Sequence, residues 1–113
     1  MRFEVMEVSP ALNKIVLVGR LDSATVGGVE TAFTAAVAAA GKSAILDLRQ
    51  LDFLSSLGIR LLLSSSRVVT RRGNQVVLFG AQPMVTEVLS AMALDSVLPH
   101  VATEQAALAK LGL

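Results

Sequence analysis

Leu46-Asp47-Leu48-Arg49-Gln50-Leu51-Asp52-Phe53-Leu54-Ser55-Ser56-Leu57-Gly58-Ile59-Arg60 reads as a buried strand that runs through two serines into a helix. The join puts hydroxyls where a helix exposes its first unpaired N–H groups. Those donors, with the positive end of the helix dipole, favour an anion. A serine in this place is either a cap or a phosphate acceptor, and the function turns on which.

Outward from this join, the chain alternates strands and helices. Arg2–Val8 has the alternation of a half-buried strand, Ser9-Pro10 makes a turn, and Asn13–Gly19 is a second, β-branched strand, so a hairpin opens the chain. Asp22 or Ser23 can cap a helix from about Ala24, whose apolar positions Val26, Val29, Phe33, Ala36, Val37 and Ala40 follow helical spacing up to Gly41. Ala44–Leu48 is a third strand, a helix runs from Leu57 to Arg72, and Gln75–Phe79 is a fourth strand. Pro83 suits the first turn of a helix with Val85, Val88, Leu89 and Met92 inward. An extended piece, Ser96–Leu98, precedes a last helix capped by Thr103 and carrying Ala106, Ala107, Leu108 and Leu111. This pattern predicts one α/β domain over residues 1–113, a mixed sheet of four to five strands with about four helices.

Composition narrows the classes of function. The chain is 53% hydrophobic, so a packed core is expected, yet no apolar run is long enough for a membrane helix. Its N-terminus alternates polar with apolar residues and carries acids, unlike a secretory signal. The absence of cysteine fits a reducing cytoplasm and leaves no thiolate metal site. A net charge of +1, without Trp or Tyr, argues against direct nucleic-acid binding or a membrane surface. The expected location is cytoplasmic, with no membrane insertion and no cofactor.

Most candidates for chemistry have an ordinary reading. Gly41-Lys42-Ser43 has the ending of a phosphate-binding loop, but that motif needs glycine where Ala36 stands, and it needs strand before loop rather than helix. His100, the single histidine, has no companion at metal-ligand spacing. A small serine hydrolase using Ser56 with His100 is an alternative without a nucleophile elbow. Asp47 interrupts an apolar strand and is expected near its C-terminal edge, accepting N–H groups of the following loop. On the helix after the two serines, Ser56, Arg60, Ser64, Arg67 and Arg71 share one polar face, while Leu57, Leu61, Ser65 and Val68, with Leu62 and Val69 alongside, are expected to face the core.

The chain resembles the STAS family, in particular its small single-domain anti-sigma factor antagonists. Six segments carry the likeness in order: Val18-Gly19-Arg20-Leu21-Asp22, Leu46–Leu54, Ser55-Ser56-Leu57-Gly58-Ile59, Gly73–Phe79, Pro83-Met84-Val85 and Met92–Leu98. Ser55 stands where the family has Asp, Leu57 where it has a second hydroxyl residue, and Arg60 where Gly is common. The resemblance implies an anti-sigma factor antagonist, not an enzyme, that binds an anti-sigma factor with serine kinase activity and so releases the sigma factor. It implies that the kinase phosphorylates the middle residue of the signature, that the phosphorylated form loses affinity, and that a serine phosphatase resets it. Anchored on Phe53 and Gly58, that residue is Ser56, ahead of Ser55. The expected partner-facing residues are Asp22, Ser23, Ser55, Ser56, Arg60, Ser64 and Arg67. The same fold also serves as a subunit of lipid-transport ABC systems or as a signalling scaffold, where phosphorylation is not needed.

Overall fold

The computed structural model describes residues 1–38, 41–94 and 97–112. Among them the elements are β1 (Arg2–Ser9), β2 (Leu12–Leu21), α1 (Val26–Val37), β3 (Ser43–Leu54), α2 (Ser56–Arg71), β4 (Val76–Phe79), α3 (Pro83–Ala91), β5 (His100–Val101) and α4 (Glu104–Lys110). The five strands lie in one sheet in sequence order. β1 is antiparallel to β2, and every later pair is parallel, joined by helices. This is the mixed sheet that a hairpin followed by strand–helix alternation predicts.

Strand alternation sorts the apolar residues onto two faces. Ile15, Leu17, Ala44, Leu46, Leu48 and Leu78 form the large core with Phe33 of α1, Ile59, Leu62 and Val69 of α2, and Val85 and Leu89 of α3. The opposite face packs Leu12, Ile45, Val77 and Phe79 against Ala107, Leu108 and Leu111 at α4. α1, α2 and α3 thus cover one side and α4 covers the other. Phe3 of the edge strand meets Phe33 edge-on, ring centroids 5.4 Å apart, which ties β1 to α1.

Several boundaries and faces differ from those the sequence predicts. β3 continues past Leu48 to Leu54 because it keeps pairing with β2, Gly19 beside Leu51 and Leu21 beside Leu54, and Leu51 and Leu54 stay buried. The fifth strand is His100–Val101, paired with Leu78–Phe79, and not the segment ending at Leu98. The N–H groups of Val97 and Leu98 both turn back to the Leu94 carbonyl, so they serve a turn and not a ladder. Met92 caps α3 and is 48% exposed where an inward position is expected. Ala40 and Ser96, each assigned to an element by sequence, lie outside the described residues. Thr103 does cap α4, its hydroxyl accepting the Ala106 N–H at 3.1 Å.

Asp47 also differs. It lies well inside β3, is 1% exposed, and faces the α4 side. Its partners come from strands rather than a loop. Oδ1 accepts the Arg49 backbone N–H and Nε at 3.0 Å, and Oδ2 accepts Arg49 Nη2 at 2.7 Å. Lys14 on β2 lies 4.0 Å from Asp47 and 2.7 Å from Glu104, so the cluster ties α4 to the sheet. Burial opposes ionisation of Asp47, but the Arg49 hydrogen bonds, with the charges of Arg49 and Lys14, hold its carboxyl below the ordinary value. A carboxyl whose pKa is lowered by folding stabilises the fold above its unfolded value, near pH 4, and loses that contribution as pH falls through the lower folded value. Asp47→Asn should therefore cost about 1–3 kcal/mol at neutral pH, because Arg49 and Lys14 lose an ionised partner. It should also flatten the loss of stability below about pH 4, as followed by urea unfolding at several pH values.

Candidate functional site

The parallel strands β2, β3 and β4 all end on the same edge of the sheet, and the loops leaving them gather there. The β2 and β3 ends are stitched together: the Ser55 N–H donates to the Leu21 carbonyl at 2.9 Å. α2 then begins against the end of β2. A Cβ on Gly58 would stand 2.7 Å from the Leu21 carbonyl oxygen, 2.9 Å from Leu21 Cγ and 2.9 Å from Leu54 Cδ1. Only glycine lets this first turn of α2 sit so close to the strand.

The two serines have different surroundings. Ser55 is the N-cap of α2, in extended backbone, and its Oγ accepts the Gly58 N–H at 3.2 Å. Ser56 follows as the first helical residue, exposed, and its hydroxyl makes no hydrogen bond among the described residues. The acceptor side of Ser55 is thus occupied by the helix, whereas Ser56 presents a free hydroxyl beside the helix N-terminus.

Beside this junction lies the Asp22–Thr25 turn. Asp22 Oδ1 accepts the Ala24 and Thr25 N–H groups at 3.0 and 3.2 Å, and Oδ2 accepts Arg20 Nε at 3.3 Å. Desolvation works against its ionisation, yet the two N–H groups and the guanidinium leave the Asp22 carboxyl below its usual range. Asp22 therefore organises the approach to α1, which starts at Val26 rather than near Ala24. Ser23 is exposed and makes no hydrogen bond among the described residues. Arg20 also stacks over the Phe53 ring at 4.3 Å, a cation–π contact across the β2–β3 ladder.

Ser56, Arg60, Ser64, Arg67 and Arg71 are all exposed, so the polar stripe on α2 faces outward. Leu61, Leu62, Ser65 and Val69 are buried as expected, and Val68 is half-buried. Leu57 departs from its expected inward place: it is 41% exposed. With Val26, Glu30, Arg60, Leu61 and Ser64 it lines a groove of about 320 Å³ between α1 and α2. Val26, Glu30 and Leu57 are the members of this surface that sequence reasoning missed. Leu57 was hidden by its match to the core period, and Glu30 by its separation along the chain.

Other candidates are used elsewhere. Lys42 pairs with Glu7 at 2.9 Å, and Ser43 Oγ accepts the Gln75 N–H at 3.1 Å, so Gly41-Lys42-Ser43 leads into a strand and is no phosphate loop. His100 sits on β5, and its Nε2 accepts the Ala81 N–H at 3.2 Å. That nitrogen is engaged in the β4–α3 loop and cannot act as a base for Ser56. No helix among the described residues is long and apolar enough to cross a membrane.

The family model for the STAS domain matches residues 5–107, and the chain belongs to that family. Its fold is similar to that of an anti-sigma-factor antagonist (STAS) domain protein from Planctomyces limnophilus, with a TM-score of 0.82, 22% identity and 98% of each chain covered. It is similar to the anti-sigma factor antagonist SpoIIAA in its unphosphorylated form (TM-score 0.78, 22% identity, 99% of this chain and 98% of that one). The phosphorylated form of SpoIIAA, from Bacillus, gives a TM-score of 0.69 at 23% identity over 96% of this chain and 98% of that one. A chain of the Acinetobacter MlaFEDB complex is also similar, with a TM-score of 0.65 at 19% identity over 78% of this chain and 93% of that one. No curated protein matches the sequence.

Three substitutions at two positions test how the junction is built. Ser55→Ala should cost about 1 kcal/mol through loss of the cap, and Ser55→Asp should keep it. Gly58→Ala should cost about 1–3 kcal/mol by pushing α2 off the end of β2. Denaturant unfolding monitored by far-UV circular dichroism checks both, and equal stability of all three variants would contradict this geometry.

Proposed function

We propose that this STAS protein is an anti-sigma factor antagonist that works by partner switching, with Ser56 as its phosphoacceptor. In the unphosphorylated form it would bind an anti-sigma factor with serine kinase activity. Phosphorylation would release that partner, and a serine phosphatase would reset the switch. The observation that carries this reading is the contrast between Ser55, whose hydroxyl caps α2, and the exposed Ser56 beside it. Family membership supports it, as does the likeness to SpoIIAA, an anti-sigma factor antagonist solved in unphosphorylated and phosphorylated forms.

The partner-facing surface in this reading comprises Asp22, Ser23, Ser55, Ser56, Arg60, Ser64 and Arg67. A phosphate on Ser56 would carry close to two negative charges at the N-terminus of α2, where the dipole favours it. The domain should therefore stay folded, and affinity should fall through repulsion and desolvation at the contact surface. A second reading is favoured by the likeness to a chain of the MlaFEDB complex. In it, the same α2 surface docks on the ATPase of a lipid-transport ABC system, without phosphorylation. Co-purification with an ATPase and a permease, in place of a kinase, would decide for it.

Incubation with the cognate anti-sigma kinase and ATP should add one phosphate, read by intact mass and mapped to Ser56. Ser56→Asp should weaken kinase binding by roughly tenfold or more at an unchanged melting temperature. A phosphate mapped to Ser55 or to no serine, or a Ser56→Asp variant that binds like the wild type, would overturn the proposal.

A further inference from the structure

The ten cations of this chain are used unequally. Lys14, Arg20, Lys42 and Arg49 each lie within 4.0 Å of a carboxylate, and Arg72 donates to the Ala38 carbonyl. Arg2 and Lys110, near the two ends of the chain, and Arg60, Arg67 and Arg71, together on α2, make no ion pair or hydrogen bond through their side chains among the described residues. α2 contains no Asp or Glu. Three guanidiniums thus stand in a row on one helix face with no internal neutralisation. That is a surface of one sign, which attracts opposite charge.

The row meets the α1–α2 groove at Arg60 and continues along α2 beyond it. Leu61 and half-buried Val26 make its apolar floor, Leu57 is exposed at its lip, and Arg60 and Ser64 form the α2 wall. Glu30 stands on the α1 wall, so the two walls differ in sign. An occupant must therefore turn its negative groups towards α2 and away from α1. A nucleic acid, negative along its whole length, meets Glu30 unfavourably and finds neither Trp nor Tyr to stack upon.

We infer that the α1–α2 groove receives an acidic segment of a protein partner, with an apolar side chain seated against Val26, Leu57 and Leu61 and carboxylates on Arg60 and Arg67. The inference deepens the proposed function and rests on it for the identity of the partner. The apolar seat supplies affinity, and the arginines supply orientation and encounter rate. Arg60 and Arg67 can each take a carboxylate through two parallel N–H donors.

Titration of the isotope-labelled full chain by two-dimensional amide NMR tests this. The probes are a short peptide with leucine between glutamates, its counterpart with lysines in place of glutamates, and a DNA duplex. The glutamate peptide should shift the amides of Val26, Glu30, Leu57, Leu61 and Ser64, more weakly as salt rises. The lysine peptide should leave them in place, and Arg60→Glu with Arg67→Glu should abolish the shifts. Both arginines are exposed and without partners, so this double variant should fold, as its circular dichroism will show. Absence of groove shifts at millimolar glutamate peptide, equal shifts from the lysine peptide, or the same shifts from DNA would each overturn the inference. The cognate anti-sigma kinase separates the two claims. If the wild type does not bind it but the glutamate peptide fills the groove, the proposed function fails and the groove assignment stands. If the wild type binds it and the double variant binds equally well, the groove assignment fails, Arg60 and Arg67 leave the partner-facing surface, and partner switching at Ser56 stands. A loss of roughly tenfold or more in kinase affinity for the double variant supports both.

Discussion

The Leu21 carbonyl is the contact on which the candidate site depends. It accepts the Ser55 N–H, and it is the atom nearest to where a side chain on residue 58 would begin. One carbonyl oxygen thereby sets the end of β2, the cap of α2 and the distance between them. The Asp22 turn follows Leu21 directly, so the same contact places that turn beside the start of α2. A rigid scaffold that ends in adjacent loops is the usual way to present binding residues. Here the rigidity comes from a missing Cβ and a backbone hydrogen bond, both independent of the exposed side chains around them.

How much of this was legible in the sequence follows from what is local. The hairpin, the alternation of strands and helices, the cap by Thr103 and the outward row from Ser56 to Arg71 each depend on neighbouring residues, and each is found. What escaped depends on distant partners. β3 reaches Leu54 because β2 continues beside it through two register shifts, which no pattern within β3 announces. In Leu46–Leu54 the exposed pair Arg49 and Gln50 breaks the alternation, so the sequence pattern of the strand stops early. β5 is only two residues long, and its existence is decided by Leu78 and Phe79 opposite.

The groove shows the same limit. Leu57 and Leu61 share a helical face, and by period both belong inside. Leu61 is 3% exposed and Leu57 is 41% exposed, with Leu57 lining the α1–α2 groove alongside Val26 and Glu30 of α1. Which of two residues on one helical face is covered depends on how α1 lies against α2, and that is a tertiary fact. Asp47 is the counterpart on the other face: an acid in an apolar strand is legible as needing a partner, but Arg49, Lys14 and Glu104 come from three elements.

These observations bear on how a charge at Ser56 could act. The start of α2 is held by the Ser55 cap and by the contact of Gly58 with Leu21, and neither involves the Ser56 side chain. A phosphate there would add charge without removing any of the bonds that position the helix, and the dipole would favour it. Its nearest unpaired cation along the helix is Arg60, one turn on, at a spacing where side chains meet. If an acidic partner segment also uses Arg60, phosphate and partner compete for one guanidinium. Release would then be an exchange of anions on a fixed scaffold, and it would need no conformational change. Arg67 and Arg71, two and more turns further, lie beyond the reach of that phosphate. They would keep an attraction for acidic surfaces that phosphorylation weakens but does not erase.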